Sequence, residues 1–480
     1  MQARLPPPPD LQISLDGRRN ATRQLYTRIR EAIVGGRLRA GDSLPSSREL
    51  ATRLGISRNT VVLAYERLAA EGFLESRVGA GTFVSAAVRH RTTEPTTASP
   101  LRARAVWDTI PDVPDMSAAS PRFDFRPGMP DVAQFPFAAW RARVSMHLRQ
   151  RAVGTGAHIA PEGLSVLREA IARHVGVARG VRCTPRDVMV TNGSQQALDI
   201  ITRILLAPGD GVAVEDPGYP LPRRLFQAYG CTVRGVAVDE EGMVVDAIPH
   251  GTRLVYVTPS HQYPLGVTMS LARRQALMDW AQQVDGVVVE DDYDSEFRYG
   301  ARPLEPLQSL DETGRVLYTG SFSKVLLPTL RLGFAVVPQP LHAAFRRARS
   351  VTDWHTSVPE QAAAASFIND GLLARHIRRM RRTYSERHNA ILQFLHSSFR
   401  GTLNPLPCAG GLHLSAMCTT LEGSADLALA ERAHAAGVEV MPLSRHYVER
   451  EPQAGLMFGY GAIATGNIAE ALSLLRACIR

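Results

Sequence analysis

Apolar residues recur near the start of the chain, up to about residue 70, with a helical period. Leu25, Ile29 and Ile33 form the i, i+4, i+8 stripe of an amphipathic helix over 19–34, closed by Gly35-Gly36. In Leu44-Pro-Ser-Ser-Arg-Glu-Leu-Ala-Thr-Arg-Leu54, Pro45 and Ser46 supply start signals for a second helix and Gly55 stops it. Ser57 is the expected N-cap of a third, with Val61, Tyr65 and Leu68 on its inner face. The pattern then changes. Gly72-Phe-Leu-Glu-Ser-Arg-Val78 and Thr82-Phe-Val84 read as two short strands around Gly79-Ala-Gly81, a hairpin or wing. Two helices joined by a tight glycine turn and followed by a wing predict a winged helix-turn-helix over 1–84.

From 85 to 122 the sequence turns to Ala, Thr, Ser, Pro and Arg without sustained periodicity, and it is expected to be a tether. Trp107 and Ile110 are the residues in it able to dock on the following domain. Beyond Phe123, over 123–480, strand-like apolar runs alternate with helical stretches: Val188–Thr191, Gly211–Glu215, Arg253–Thr258, Gly286–Glu290, Arg315–Thr319 and Leu332–Val337. Such alternation predicts an α/β domain with a mainly parallel sheet covered on both faces, and ligands collect at the carboxyl ends of its strands.

Composition sharpens this picture at one point. Of 55 Lys and Arg residues only Lys324 is lysine. Arginine can replace lysine in surface and ion-pair work, but it cannot lose its proton and attack a carbonyl, so Lys324 is a candidate Schiff-base nucleophile. The net charge of +9 fits a nucleic-acid partner, and residues 1–90, with 14 Arg against 8 Asp plus Glu, carry most of that excess. The five cysteines are odd in number and widely spaced with no C-x-x-C pair, which suggests neither a metal site nor a disulfide framework. No run of 18 apolar residues occurs, and the N-terminal residues lack the apolar stretch of a signal peptide, so a cytoplasmic protein without membrane partners is expected. The absence of G-x-x-x-x-G-K-[ST] disfavours a P-loop nucleotide protein.

Polar residues cluster at the predicted strand ends. Thr191-Asn-Gly-Ser-Gln-Gln-Ala-Leu198 passes from strand to helix and sets Ser194 and Gln195 at a helix N-terminus, a seat for phosphate. Glu215-Asp-Pro-Gly-Tyr219 places an aromatic ring just past a strand, where it can stack on a flat cofactor. Val289-Glu-Asp-Asp-Tyr-Asp-Ser-Glu-Phe297 ends a strand in carboxylates followed by a phenol. A carboxylate there can hold a pyridine nitrogen protonated, and the phenol can reach a ring hydroxyl. Ser321, Ser323 and Arg331 flank Lys324 and offer hydroxyls and a guanidinium to a phosphate. Together these residues predict a pyridoxal 5'-phosphate site.

Through P-S-x-R-E-L-A, G-x-S-R-x-T-V, Y-x-x-L-x-x-x-G and G-x-G-T-F-V, the first segment resembles the winged helix-turn-helix of GntR-type regulators. That resemblance implies operator contacts from Arg48 and Arg58, with Asn59, Thr60 and Gly81 at the same surface. The large domain resembles fold-type I aminotransferases. The wording E-D-P-G-Y, T-P-S-H-Q-x-P, E-D-D-Y-D-S-E-F-R and G-S-F-S-K-x-L-L-P-x-L-R is similar to the MocR/GabR branch. The resemblance implies an internal aldimine on Lys324, Asp291 on the pyridine nitrogen, Tyr293 on the ring oxygen and Tyr219 stacked on the ring. Ser194, Gln195, Ser321, Ser323 and Arg331 then surround the phosphate. It also implies a homodimer.

The chain departs from the family pattern in three places. Tyr263-Pro-Leu-Gly266 stands where aminotransferases place Asn before the turn, with His261 nearby as a substitute contact. Leu456-Met-Phe-Gly-Tyr-Gly-Ala-Ile463 lacks the carboxylate-binding arginine of the C-terminal region, and Leu221 replaces the second one, with Arg223 and Arg224 close by. Loss of the guanidinium clamp argues against an ordinary amino-acid substrate. Two functions stay open: a transcription regulator that senses a small amine or amino acid or the cofactor itself, and a working aminotransferase with an accessory DNA-binding module.

Overall fold

The computed structural model describes residues 13–15, 17, 20–77, 80–88, 101–111, 121–149, 157–299, 305–408 and 410–479. The chain divides into two compact units, Met1–Arg102 and Ala103–Arg480. The first holds α1 (Ala21–Val34), β1 (Ser43–Leu44), α2 (Ser47–Leu54), α3 (Arg58–Ala70), β2 (Leu74–Arg77) and β3 (Gly81–Val84). Its helix ends are fixed locally. Ser46 Oγ accepts from Glu49 N at 3.2 Å and Ser57 Oγ from Thr60 N at 3.1 Å, each satisfying one of the amides a helix start leaves free. Gly55 closes α2 at φ 63°, in the left-handed region that glycine enters without strain. The expected stripe of Leu25, Ile29 and Ile33 is fully buried against Leu50, Val61, Ala64 and Leu68. β1 has no counterpart in the sequence reading. It pairs with β3 to make a three-stranded sheet in the order β1-β3-β2, and two residues are too few to show alternation. The expected wing residues Val78 and Gly79 lie outside the described residues, as do 89–100 and 112–120 of the expected tether.

Within that tether span, Ala105–Thr109 forms a 3₁₀ turn beside the helix Pro220–Ala228, with Trp107 half exposed. It belongs to the second unit. The strands of this unit are β4 (Phe123–Asp124), β5 (Val188–Thr191), β6 (Gly211–Asp216), β7 (Thr232–Asp239), β8 (Gly242–Met243), β9 (Thr252–Val257), β10 (Val287–Asp292), β11 (Val316–Ser321), β12 (Gly333–Val336), β13 (Leu403–Pro405), β14 (His413–Cys418), β15 (Val438–Glu439), β16 (Met441–Pro442) and β17 (Gly455–Gly459). Eight of them make one sheet in the order β5-β12-β11-β10-β9-β6-β7-β8. β11, β10, β9, β6 and β7 are parallel neighbours, and β12 runs against both β11 and β5.

The central strands read as unbroken apolar runs because both faces are covered. Leu254, Val289 and Val212 point to the core under the helix Ser194–Leu205, while their neighbours Val255, Val288 and Ala213 point to the core under Leu271–Gln283. The fold class is therefore the expected one, a winged helix-turn-helix plus an α/β unit with a mainly parallel sheet. A second, antiparallel sheet of order β13-β14-β17-β16 closes the C-terminal region. The 27-residue helix Leu372–Ser398 runs into it, burying Leu373, Ile377, Met380, Tyr384, Ile391 and Leu395 along one side.

Candidate functional sites in the two units

In the first unit the candidate contacts share the start of two helices. Arg48 lies in the first turn of α2, and Arg58 and Asn59 open α3; all three are exposed, and Thr60 is half-buried against its cap Ser57. Arg58 Nε reaches Ser47 Oγ at 3.4 Å, so the guanidinium bridges α2 and α3. Gly81, exposed at φ 117°, begins β3 opposite Arg77. A helix N-terminus carrying exposed arginine and asparagine can reach base edges and phosphates in a major groove.

In the second unit the site grows from strand alternation. Glu290, Asp291 and Asp292 are consecutive, so successive side chains leave β10 on opposite faces. Glu290 accepts from Leu307 N and Gln308 N, both at 3.0 Å, and Asp292 accepts from Arg179 Nε at 2.7 Å and Tyr318 Oη at 2.6 Å. These two carboxylates are tied into the structure. Asp291 faces a cavity of about 330 Å³ at the carboxyl end of the sheet. Its Oδ2 accepts from Tyr256 Oη at 2.7 Å, and its Oδ1 is buried with no partner. Burial pushes this carboxyl up to about 6, against the Tyr256 hydrogen bond.

Lys324 enters the same cavity from the loop after β11, and its Nζ donates to Gly128 O at 2.7 Å. Burial draws the ammonium below the ordinary lysine range, with Asp294 and Asp291 opposing. The carbonyl's approach requires glycine: a Cβ on Gly128, at φ 77°, would stand 2.5 Å from Nζ. At the other end, Gly193 lets β5 turn into the helix Ser194–Leu205, whose first residues Ser194 and Gln195 line the cavity beside Ser321, Ser323 and Arg331. Arg331, held at φ 49°, donates to Asn192 O at 2.9 Å. Helix N-terminal amides, two hydroxyl residues and a guanidinium make a seat for a dianion.

Tyr219 starts the helix after β6, its ring 5.2 Å from that of Tyr263, and Tyr293 completes this aromatic wall 5.9 Å from Tyr263. Nine of the ten residues expected to meet a cofactor line this cavity. His261 does not. It stands behind Tyr293, with Nδ1 at 3.0 Å from the phenol oxygen and 3.0 Å from Asp294 Oδ2. The turn Tyr263-Pro264 that replaces the usual asparagine presents the Tyr263 ring to the cavity instead.

Tyr256, Gly128, Asp294 and His413 are not among the residues expected at the site, and the last three of them line the cavity. Tyr256, Gly128 and His413 lie in strands or loops with no local motif, Asp294 lies within the carboxylate run after the apolar stretch, and only the fold brings them near Lys324. Of the two arginines near Leu221, Arg223 donates to Tyr447 O at 3.1 Å, and neither it nor Arg224 lines the cavity, whereas Leu221 does. Leu456, Met457 and Phe458 are fully buried in β17. Among the described residues Arg331 is the one guanidinium on the cavity wall.

A DNA-reading head joined to an aminotransferase-type body with a lysine-bearing cavity defines a two-part regulator. Residues 21–84 match the family of bacterial regulatory proteins, gntR family, and residues 132–457 match aminotransferase class I and II. The chain belongs to the MocR-type family of GntR transcriptional regulators. It is 38% identical to the probable rhizopine catabolism regulatory protein MocR of Rhizobium meliloti, over 95% of this chain and 92% of that one. It is 34% identical to the pyridoxine biosynthesis transcriptional regulator PdxR of Corynebacterium glutamicum, over 92% and 91% of the two chains. Its body is similar to the kynurenine aminotransferase of Pyrococcus horikoshii, crystallised in complex with PMP. The TM-score is 0.69 and the identity 29%, over 79% of this chain and 95% of that one.

Proposed function

We propose that this protein is a transcription regulator whose body binds pyridoxal 5'-phosphate covalently on Lys324 and couples the state of that site to operator binding by the head. The observation that carries this reading is Asp291 Oδ1, a buried carboxylate oxygen without a partner on the wall that also bears Lys324. An orphaned buried acceptor of this kind is costly unless a donor arrives, and a protonated pyridine nitrogen is such a donor. The remaining residues fit the same group: the amides at Ser194 and Gln195, with Ser321, Ser323 and Arg331, would hold its phosphate, Tyr219 its ring face and Tyr293 its ring oxygen. When bound, the cofactor supplies an electron sink for an amine. Lys324, whose ammonium burial draws below the ordinary lysine range, supplies the nucleophile, and Gly128 O orients its Nζ.

The effector is a small amine lacking a carboxylate, or the cofactor itself. In support, the single guanidinium on the described wall faces the phosphate seat, and Leu221 stands where a carboxylate clamp would be. Arg48, Arg58, Asn59, Thr60 and Gly81 are the proposed DNA contacts. The protein acts as a cytoplasmic homodimer; the likeness to aminotransferases supports the dimer, and no helix of the described residues is long and apolar enough to cross a membrane. An enzyme with an incidental head is not favoured, since regulators match over nearly the whole chain.

The test is binding of the purified protein to DNA flanking its own gene, with and without pyridoxal phosphate. Coupling between the two sites is expected to change affinity roughly 5- to 150-fold. Absence of specific binding in both states would overturn the proposal.

A further inference from the structure

Behind Tyr293, three side chains stand in a row that starts at Asp294 on the cofactor cavity and leads away from it. His261 Nε2 lies 3.3 Å from Cys408 Sγ, and His261 Nδ1 lies 3.0 and 3.1 Å from the two oxygens of Asp294. Asp294 also accepts from Leu412 N at 3.1 Å, which fixes the carboxylate in place. A carboxylate on Nδ1 sets the imidazole tautomer so that Nε2 can take a proton from the thiol. The close fit depends on Gly411 at φ 84°, where a Cβ would stand 2.4 Å from His261 Nδ1 and 2.5 Å from Asp294 Oδ2.

Cys408 is partly exposed, on the wall of a separate crevice of about 750 Å³. A second histidine faces the same sulfur from the helix Leu372–Ser398: His388 is 95% buried, and its Nε2 has no hydrogen-bond partner. In its neutral form the thiol donates to Gly410 O at 2.9 Å, with His413 O at 3.6 Å. His413, its ring 4.9 Å from that of His261, and Tyr293, Tyr299, Tyr460, Arg298 and Lys324 are further ionisable groups around the cluster.

We propose that Cys408 is a reactive thiolate, paired with His261 and Asp294, that is oxidised by neutral hydroperoxides entering through this crevice. The thiolate attacks the terminal oxygen of the hydroperoxide. An S–O bond forms, the O–O bond breaks, and the leaving alkoxide takes the proton held on His261. Sulfur loses two electrons, the hydroperoxide becomes an alcohol, and Cys408 becomes a sulfenic acid. His388 Nε2 is then the available partner for the new oxygen. The crevice favours this class of oxidant: Leu265, Val267, Leu406 and Pro407 make it apolar, and Asp239 and Glu240 repel anions. Since His261 also contacts Tyr293 on the cofactor wall, a change at Cys408 alters the proton arrangement beside the cavity.

The acid–base balance agrees with the geometry. Burial alone would raise the Cys408 thiol, but the His261 charge and hydrogen bond, with His388 and Gly410, bring it down to about 6. The His261 imidazole, lowered by burial but raised by Asp294, reaches about 10. Burial pushes Cys183 up to about 11 and Cys418 up to about 12. At pH 6 the gain in thiolate fraction over an ordinary thiol is partly offset by lower nucleophilicity, leaving roughly a tenfold advantage.

The experiment treats the full chain with limiting cumene hydroperoxide at pH 6, traps sulfenic acid with dimedone, and maps the five cysteines by mass spectrometry. Cys408 is expected to carry the label at least roughly tenfold ahead of each of the others. A parallel iodoacetamide series from pH 5 to 9 is expected to show Cys408 levelling off near pH 6 to 7. Equal labelling of Cys408 and Cys478, or a Cys408 rate that still climbs through pH 8, would overturn the proposal. Both readings come from the unmodified sequence, so no variant has to fold.

Discussion

The two units place their chemistry on opposite sides of the solvent boundary. In the head, the core is purely aliphatic and aromatic, the helix ends are set by serine and glycine caps, and Arg48, Arg58 and Asn59 project into water. In the body, the corresponding residues are buried, and the groups that matter are polar atoms held out of balance: Asp291 with one orphaned oxygen, and Lys324 drawn towards neutrality. An exposed site can be strong only through the partner it meets, because its ordinary solvation is unchanged. A buried site carries a standing penalty that its ligand relieves. The exposed contact residues of the head should therefore tolerate substitution without loss of stability, whereas the body should trade stability against cofactor binding.

The largest expected effect is at Lys324. Lys324→Arg keeps the charge and removes the nucleophile, so the visible absorbance of the protein loaded with pyridoxal phosphate is expected to vanish completely. Retention of that band would place the attachment elsewhere. Asp291→Asn comes next and reads the trade directly. In the folded, cofactor-free body Asp291 holds its proton up to about pH 6, while in the unfolded chain it loses it near 3.8. Between these values the unfolded state binds fewer protons, so stability falls as pH rises through the window, by about 3 kcal/mol. The asparagine variant should thus unfold later than the parent at pH 8, equal it near pH 3.5, and bind the cofactor more weakly; urea titrations at the two pH values measure the first two. Equal stability at pH 8 would remove the buried-penalty half of the comparison.

In the head, Arg58→Ala is expected to weaken operator binding by about 1–3 kcal/mol without moving the unfolding midpoint, as fluorescence anisotropy and thermal unfolding would show. The smallest effect is expected at a cap: Ser57→Ala should cost about 1 kcal/mol of head stability and reduce DNA affinity only through fraying of the first turn of α3. If Ser57→Ala hurt DNA binding more than Arg58→Ala, the contact would lie in the backbone of that turn rather than in the guanidinium.

Local chemistry determined a good part of this protein. Caps and periodic stripes placed α1, α2 and α3, because the signals that start and stop a helix sit within a few residues of its ends. Apolar runs placed six strands of the large sheet, since doubly covered strands are uniformly apolar. The lone lysine, the carboxylates after an apolar run and the serine-rich turns marked part of the cavity wall. What the sequence could not decide was which side of each element its residues take and what stands opposite. Alternation in β10 sends Asp291 to the cavity while Arg179, 113 residues earlier, claims Asp292, and Tyr256 from β9 takes half of the Asp291 carboxylate. His261 had the chemistry for the cofactor wall, but the fold turned it towards Asp294 and Cys408. Those pairings join residues far apart in the chain, and only close packing of the folded body, where burial makes each hydrogen bond and charge matter, brings them together.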